Sequence, residues 1–178
     1  GSIEPMNRQD LARLKTQSSL LKGEFLLSSG AISHEYFDKY LFESDPKLLK
    51  AVAEALAPLV PDGVDALAGL ELGGVPLAVM LGQVTGLETL FVRKQAKEYG
   101  TRRLAEGGEV AGRNLLVVED VVTSGGQVVL STRDLKERGA TVSTALCVID
   151  REAGGTAALR AEDVELRALY TMSELKSA

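Results

Sequence analysis

The chain has 178 residues, 45% hydrophobic and 25% charged, with 20 basic against 25 acidic side chains. A chain of this length buries roughly 70% of the surface it exposes when unfolded, so one self-sufficient core is expected, and disordered, collagen-like and coiled-coil classes are excluded. The net charge of -5 argues against binding nucleic acid by bulk attraction, and the longest uncharged stretch, 16 residues at 72–87 with four Gly and a Pro, is too short and too interrupted to span a bilayer.

Residues 1–5 precede Met6 and are expected to be a remnant of expression, leaving a single domain at 6–178 with an N-terminal helix and hood at 6–44. Leu11, Leu14, Ser18 and Leu21 share one helical face after a possible Asn7 cap. A short strand is predicted at 25–27, a turn at Ser28-Ser29-Gly30, and a second strand at 35–42. Asp45-Pro46 is a strong helix start, because Asp caps free N–H groups and Pro is tolerated in the first turn; that helix is predicted to run to about Leu59.

Strand signals then appear near 66–70, 89–92, 114–119, 141–149 and 164–169, with starts 23 to 27 residues apart. That spacing leaves room for crossover helices, predicted at 76–85 and 126–138, the second closed by Gly139. The fold class is therefore α/β, a doubly wound and mainly parallel sheet whose ligand sits at the carboxyl ends of the strands. Residues 93–112, rich in Arg, Lys and Gly, are predicted as a long mobile loop more than a packed element. No cationic stretch followed by an apolar run opens the chain, and the lone Cys147 reads as a small core residue, so a cytoplasmic setting is expected.

The densest chemistry lies in Leu115-Leu116-Val117-Val118-Glu119-Asp120-Val121-Val122-Thr123-Ser124-Gly125-Gly126-Gln127. Four apolar residues make a buried strand, two acids end it, and a hydroxyl and glycine loop opens a helix. The first N–H groups of a helix lack internal partners, so Thr123, Ser124, Gly125, Gly126 and Gln127 suit a phosphate, with glycines allowing close approach. Neither the P-loop string nor the dinucleotide fingerprint is present. Carboxylates beside a phosphate need another task, such as accepting hydrogen bonds from sugar hydroxyls, which points to a ribose 5-phosphate.

Residues 118–127 resemble the phosphoribosyl-pyrophosphate motif of type I phosphoribosyltransferases. Phe25-Leu26-Leu27-Ser28-Ser29-Gly30, Glu71-Leu72-Gly73-Gly74-Val75-Pro76, Phe91-Val92-Arg93-Lys94-Gln95-Ala96-Lys97-Glu98-Tyr99-Gly100 and Ile149-Asp150-Arg151-Glu152 are similar to the orotate-using branch of that family. The resemblance implies the type I phosphoribosyltransferase fold and transfer of ribose 5-phosphate from phosphoribosyl pyrophosphate to orotate, in pyrimidine biosynthesis. It implies Glu119 and Asp120 on the ribose hydroxyls, with Val121, Val122 and residues 123–127 around the 5-phosphate. Arg93, Lys94, Lys97 and Tyr99, with Leu72 and Gly73, would face the pyrophosphate, and Lys97, Glu119 and Asp120 would act in the chemistry. Thr123, Arg151, Ser28, Tyr36 and Phe37 would face orotate; the planar fork of Arg151 suits a carboxylate.

The same resemblance implies Mg2+ carried mainly by substrate oxygens, with Asp120 reaching it through water, and a homodimer that shares loop residues across subunits. No nucleic-acid or membrane partner is expected. Read without the resemblance, residues 71–76 are equally a tight strand-to-helix link, whereas the basic segment and Arg151 read first as solvated surface. Many bacterial relatives carry Lys in place of Ser28 and Gly73 and His in place of Tyr99, so contacts to base and leaving group are distributed differently here. Two other readings stay open: a type I enzyme for another nucleobase, and a non-catalytic sensor of phosphoribosyl pyrophosphate that binds DNA.

Overall fold

Strands covered on both faces bury every side chain, and the unbroken apolar runs of this chain become its central strands. The computed structural model describes residues 6–17, 20–26, 32–37, 40–96 and 103–177. In chain order, α1 (Arg8–Gln17) leads to a hairpin of β1 (Leu20–Leu26) and β2 (Ile32–Phe37), then α2 (Tyr40–Glu43), α3 (Pro46–Leu56) and a 3-10 turn at Ala57–Leu59. The body comprises β3 (Ala66–Leu70), α4 (Gly74–Thr85), β4 (Glu88–Val92), β5 (Ala105–Glu106), β6 (Leu115–Val118) and β7 (Val121–Val122). It closes with α5 (Gly126–Glu137), β8 (Thr144–Asp150), α6 (Gly155–Arg160), β9 (Glu165–Thr171) and α7 (Met172–Ser177).

The N-terminal elements start where capping chemistry dictates. Asp10 N–H donates to Asn7 Oδ1 at 2.8 Å, and α1 buries Leu11 and Leu14. The helix stops at Gln17, so Leu21, predicted on its apolar face, belongs instead to β1. Leu48 N–H donates to Asp45 Oδ1 at 3.2 Å at the start of α3, and Arg13 and Gln17 of α1 both reach Asp45 Oδ2. One carboxylate thus caps α3 and ties α1 to it. The strand predicted at 35–42 ends at Phe37, because 40–43 close a helical turn with Ser44 N–H on Tyr40 O at 3.1 Å. That turn lets Phe42 enter the same apolar cluster as Leu14 and Leu48. The predicted turn at 28–30 lies outside the described residues.

Five parallel strands stand in the spatial order β4, β3, β6, β8, β9, with β5 antiparallel on the outer edge of β4. Chain order reverses at β3, whose two neighbours are the next parallel strands in sequence, β4 on one side and β6 on the other. Strand β6 stops at Val118, where the two acids follow its apolar run. It is interrupted there and resumes as β7 along the same edge of β8, while Asp120 O accepts from Val148 N–H at 2.9 Å and Ile149 N–H at 3.2 Å. Alternation along the strands divides the core in two. Leu67, Leu116, Leu146 and Val148 pack with α1, α3 and α4 on one face, and Ala68, Val117, Ala145 and Cys147 with α5 and α6 on the other.

The segment predicted as a long loop is partly packed. Leu104 and Ala105 are buried, Arg93 N–H donates to Leu104 O at 2.8 Å, and Phe91 and Val92 pair with Glu106 and Ala105. An exposed strand edge offers unpaired backbone groups, and these apolar residues satisfy it while extending the core. Residues 97–102 lie outside the described residues.

Candidate active site

The strand ends converge at the reversal in strand order, where the first turns of α4 and α5 open on the same side of the sheet. Leaving β3, residues 71–73 turn into α4, and two glycines permit a contact that side chains would forbid. A Cβ on Gly74 would lie 2.3 Å from Val118 O, and one on Gly73 would lie 1.9 Å from Asp120 Oδ2 and 2.9 Å from Glu43 Oε1. The peptide bond between Glu71 and Leu72 is cis. Glu71 N–H continues the ladder to Val92 O at 2.9 Å, and Lys94 N–H donates to Glu71 Oε2 at 2.6 Å, which links this turn to the residues after β4.

On the other side of the reversal stand the acids. Asp120 N–H donates to Glu119 Oε1 at 3.0 Å, and Val121 N–H donates to Asp120 Oδ1 at 2.7 Å. Both side chains are buried, Asp120 fully at 0% exposure and Glu119 at 8%. After β7, Thr123 and Ser124 are exposed, Gly125 takes φ of 84°, and α5 begins at Gly126. Gly125 and Gly155 lie back to back: a Cβ on Gly155 would stand 2.4 Å from Val122 Cγ1 and 2.9 Å from Thr123 O. Gly155 N–H donates to Thr123 O at 3.1 Å, so the loop after β8 buttresses the loop after β7.

A cleft of about 190 Å³ opens here, lined by Tyr40, Glu71, Leu72, Lys94, Glu119 and residues 121–128. It brings together Glu119, Val121, Val122, Thr123, Ser124, Gly125, Gly126, Gln127, Leu72 and Lys94 as the sequence predicted. Asp120 and Gly73 stand one layer behind its wall. Arg93 is turned aside, its guanidinium 3.4 Å from Glu106 Oε1. Arg151 follows β8 with its N–H on Val122 O at 2.9 Å and is half-buried outside the lining. Tyr36 and Phe37 are placed by backbone alone, paired with Leu21 and Leu20. Ser28, Lys97 and Tyr99 lie outside the described residues.

Tyr40, the Glu71 carboxylate and Glu43 were not singled out from the sequence. The alternation of β2 continues in the sequence through Tyr40 and Phe42 and hides the helical turn there, and Glu43 gains meaning only when α2 meets the turn after β3. A wider apolar groove of about 730 Å³ runs along α1 past Met6, Leu11 and Lys15, but lacks the convergence of helix N-terminus, acids and lysine found at the strand ends. Beneath the acids, burial pushes the Cys147 thiol well up from its ordinary value, as do the carboxylates of Asp150, Glu119 and Asp120. That residue is core, not a nucleophile.

Unpaired helix N–H groups, hydroxyls and glycines facing Glu119, with Asp120 behind it, suit one type of ligand, a phosphorylated sugar whose diol lies against carboxylates. The phosphoribosyl transferase domain profile matches residues 42–169, and the chain belongs to that family. An orotate phosphoribosyltransferase of Nocardioides sp. is 52% identical over 158 residues, covering 89% of this chain and 88% of that protein. One of Halobacterium salinarum is 44% identical over 94% of this chain and 95% of its own length. Among solved structures, Mycobacterium tuberculosis H37Rv orotate phosphoribosyltransferase in complex with Fe(III) dicitrate superposes with a TM-score of 0.80 at 30% identity, over 93% of this chain and 98% of that one. The same enzyme in complex with 5-phospho-alpha-D-ribosyl 1-diphosphate gives 0.77 at 26% identity, over 94% and 99%. The sheet described above is thus the type I phosphoribosyltransferase fold.

Proposed function

We propose that this chain transfers ribose 5-phosphate from phosphoribosyl pyrophosphate to orotate, giving orotidine 5-phosphate and pyrophosphate for pyrimidine biosynthesis. The observation that carries the reading is the meeting, in one cleft, of the α5 N-terminal loop with Glu119 and Lys94. Residues 123–127 hold the 5-phosphate with backbone donors and the hydroxyls of Thr123 and Ser124. Glu119, in the cleft wall, and Asp120, behind the Leu72 and Gly73 turn, are assigned to the ribose hydroxyls. The C1–O bond breaks with its electron pair going to pyrophosphate, a C1–N bond forms to a ring nitrogen of orotate, and that nitrogen's proton passes to solvent.

Lys94, Arg93 and Lys97, with Tyr99, are assigned to the departing pyrophosphate, where cations stabilise developing negative charge. Arg151, Thr123, Ser28, Tyr36 and Phe37 are assigned to orotate, with the guanidinium of Arg151 on its carboxylate. The donor set suits Mg2+, since Glu119 and Asp120 offer hard carboxylate oxygens beside the substrate's own. The cation would be held mainly by pyrophosphate and hydroxyl oxygens, with Asp120 reached through water, and would neutralise the leaving group. A cytoplasmic homodimer that shares loop residues between subunits completes the proposal; among the described residues no helix is long and apolar enough to cross a membrane.

The test follows the ultraviolet absorbance of orotate with phosphoribosyl pyrophosphate and Mg2+, with and without EDTA, against uracil and hypoxanthine as alternative bases. Mg-dependent loss of the orotate signal with neither other base consumed is the expected result. Turnover of another base alone would move the chain to a sister specificity. Silence with all three would favour a sensor of phosphoribosyl pyrophosphate.

A further inference from the structure

The loop that carries Arg151 is held from both sides. Arg151 N–H is bonded to Val122 O, Glu152 N–H donates to Asp150 Oδ1 at 2.8 Å, and Thr156 Oγ1 donates to Asp150 Oδ2 at 3.1 Å. Glu152 itself takes φ of 61°, in the left-handed region that residues with a side chain rarely adopt. Such a conformation persists only where its surroundings over-determine it.

The determinant lies on the last helix. Ser173 N–H donates to a Glu152 carboxylate oxygen at 2.8 Å, and the Ser173 hydroxyl and N–H together hold that carboxyl below its ordinary range. Helix α7 is in turn a firm anchor. Thr171 N–H donates to Glu174 Oε1 at 2.9 Å and Glu174 N–H to Thr171 Oγ1 at 3.1 Å, a reciprocal cap, and Leu175 is buried in the core. The two residues flanking Arg151 are therefore fixed by different parts of the fold, Asp150 by the sheet and Glu152 by α7.

We propose that Glu152 is a positioning residue for Arg151, through which the C-terminal helix sets the affinity of the base site. This rests on the reading of Arg151 as the partner of the orotate carboxylate. Without the Ser173 contact the 151–152 peptide relaxes out of its left-handed turn, and the guanidinium loses its aim at the base while the phosphate loop keeps its own supports. The signature is a selective rise in KM for orotate, not a general loss of activity.

Steady-state kinetics of Glu152→Ala, Glu152→Gln, Glu152→Gly and Arg151→Ala test this, each with a melting curve. Glu152→Ala is expected to raise KM for orotate about 10-fold, the scale of one charge-assisted hydrogen bond, with kcat and KM for phosphoribosyl pyrophosphate within about 2-fold. Glu152→Gln, which keeps an acceptor for Ser173, should restore most of the loss. Glu152→Gly adopts the left-handed turn without strain and should keep the melting temperature, but with no tether to Ser173 it leaves that turn as readily, so KM for orotate stays raised. If Arg151→Ala raises that KM but Glu152→Ala and Glu152→Gly do not, the positioning role is overturned and the base-site reading stands. If Arg151→Ala leaves it unchanged, both fall. A loss of kcat with neither KM moved would make the contact mere structural support and also overturn the proposal.

Discussion

Asp120 is a fully buried acid with one oxygen on Val121 N–H and the other against the space that a Gly73 side chain would fill. Asp120→Asn keeps the shape and an acceptor for Val121 but removes the charge that a ribose diol would meet. The expected outcome is a rise of about 10- to 100-fold in KM for phosphoribosyl pyrophosphate, the scale for losing hydrogen bonds to a charged group. The melting temperature of the free protein should not fall, because burying a carboxylate is itself costly. A lowered melting temperature with an unchanged KM would make the acid structural. Gly73→Ala tests the same carboxylate from outside: its methyl overlaps Asp120 Oδ2 and Cγ and Glu43 Oε1, so the Asp120 carboxyl must shift to admit it. It should raise the same KM, and because both changes act through one group, the double variant should show far less than the sum of the two effects.

Between loops the decisive contacts are backbone to backbone. Gly155→Ala would drive a methyl into Val122 and Thr123 O, the wall of the phosphate loop, and should cost about 1–3 kcal/mol of stability as an overpacked site. Gly126→Ala has its nearest neighbour 3.9 Å away at Ser124 Oγ, so it should not lower the melting temperature, yet should weaken phosphate binding by crowding the helix start. Chemical melts paired with KM for phosphoribosyl pyrophosphate separate the two; equal stability losses would contradict this account. Elements of this size were legible in the sequence where an unbroken apolar run or a cap marked them, as in β3 (Ala66–Leu70) and the Asp45-Pro46 start of α3. The one-turn α2 and the two-residue β5 and β7 were not, since such elements exist only through pairing with distant partners and leave no period of their own. The clustering of residues 123–127 with the two acids at one strand end was legible from residue type and order. Their division into a cleft-facing Glu119 and a buried Asp120 depends on the turn after β3, which no local pattern describes.

Across the whole molecule, three acids staple its layers, Glu152 exposed and Asp45 and Glu162 half-buried, and their combined effect sets how the fold responds to acid. Asp45 joins α1 to α3 and is held below its ordinary value of 3.8, first by the Leu48 N–H. Glu152 joins the Arg151 loop to α7 and Glu162 joins the end of α6 to α5, both below their ordinary 4.5, by Ser173 and by Arg133 respectively. A carboxyl whose folded value is depressed binds fewer protons folded than unfolded. Its stabilisation is therefore complete above about pH 4.5 and is lost as pH falls through the lowered folded values. The Asp45 cap on Leu48 was legible locally, but the joins of Asp45 to Arg13, Glu152 to Ser173 and Glu162 to Arg133 link segments distant in sequence, so no sequence window reveals them. The melting temperature should be flat above about pH 5 and fall steadily below it, and the Asp45→Asn, Glu152→Gln, Glu162→Gln triple variant should show a shallower fall from a lower plateau. Because the Glu162 pairing with Arg133 is at the surface, added salt should weaken its share, whereas the hydrogen bonds to Leu48 and Ser173 should persist. A triple variant with the parent's acid slope, followed by calorimetry from pH 7 to 3, would show that these staples do not set the acid sensitivity.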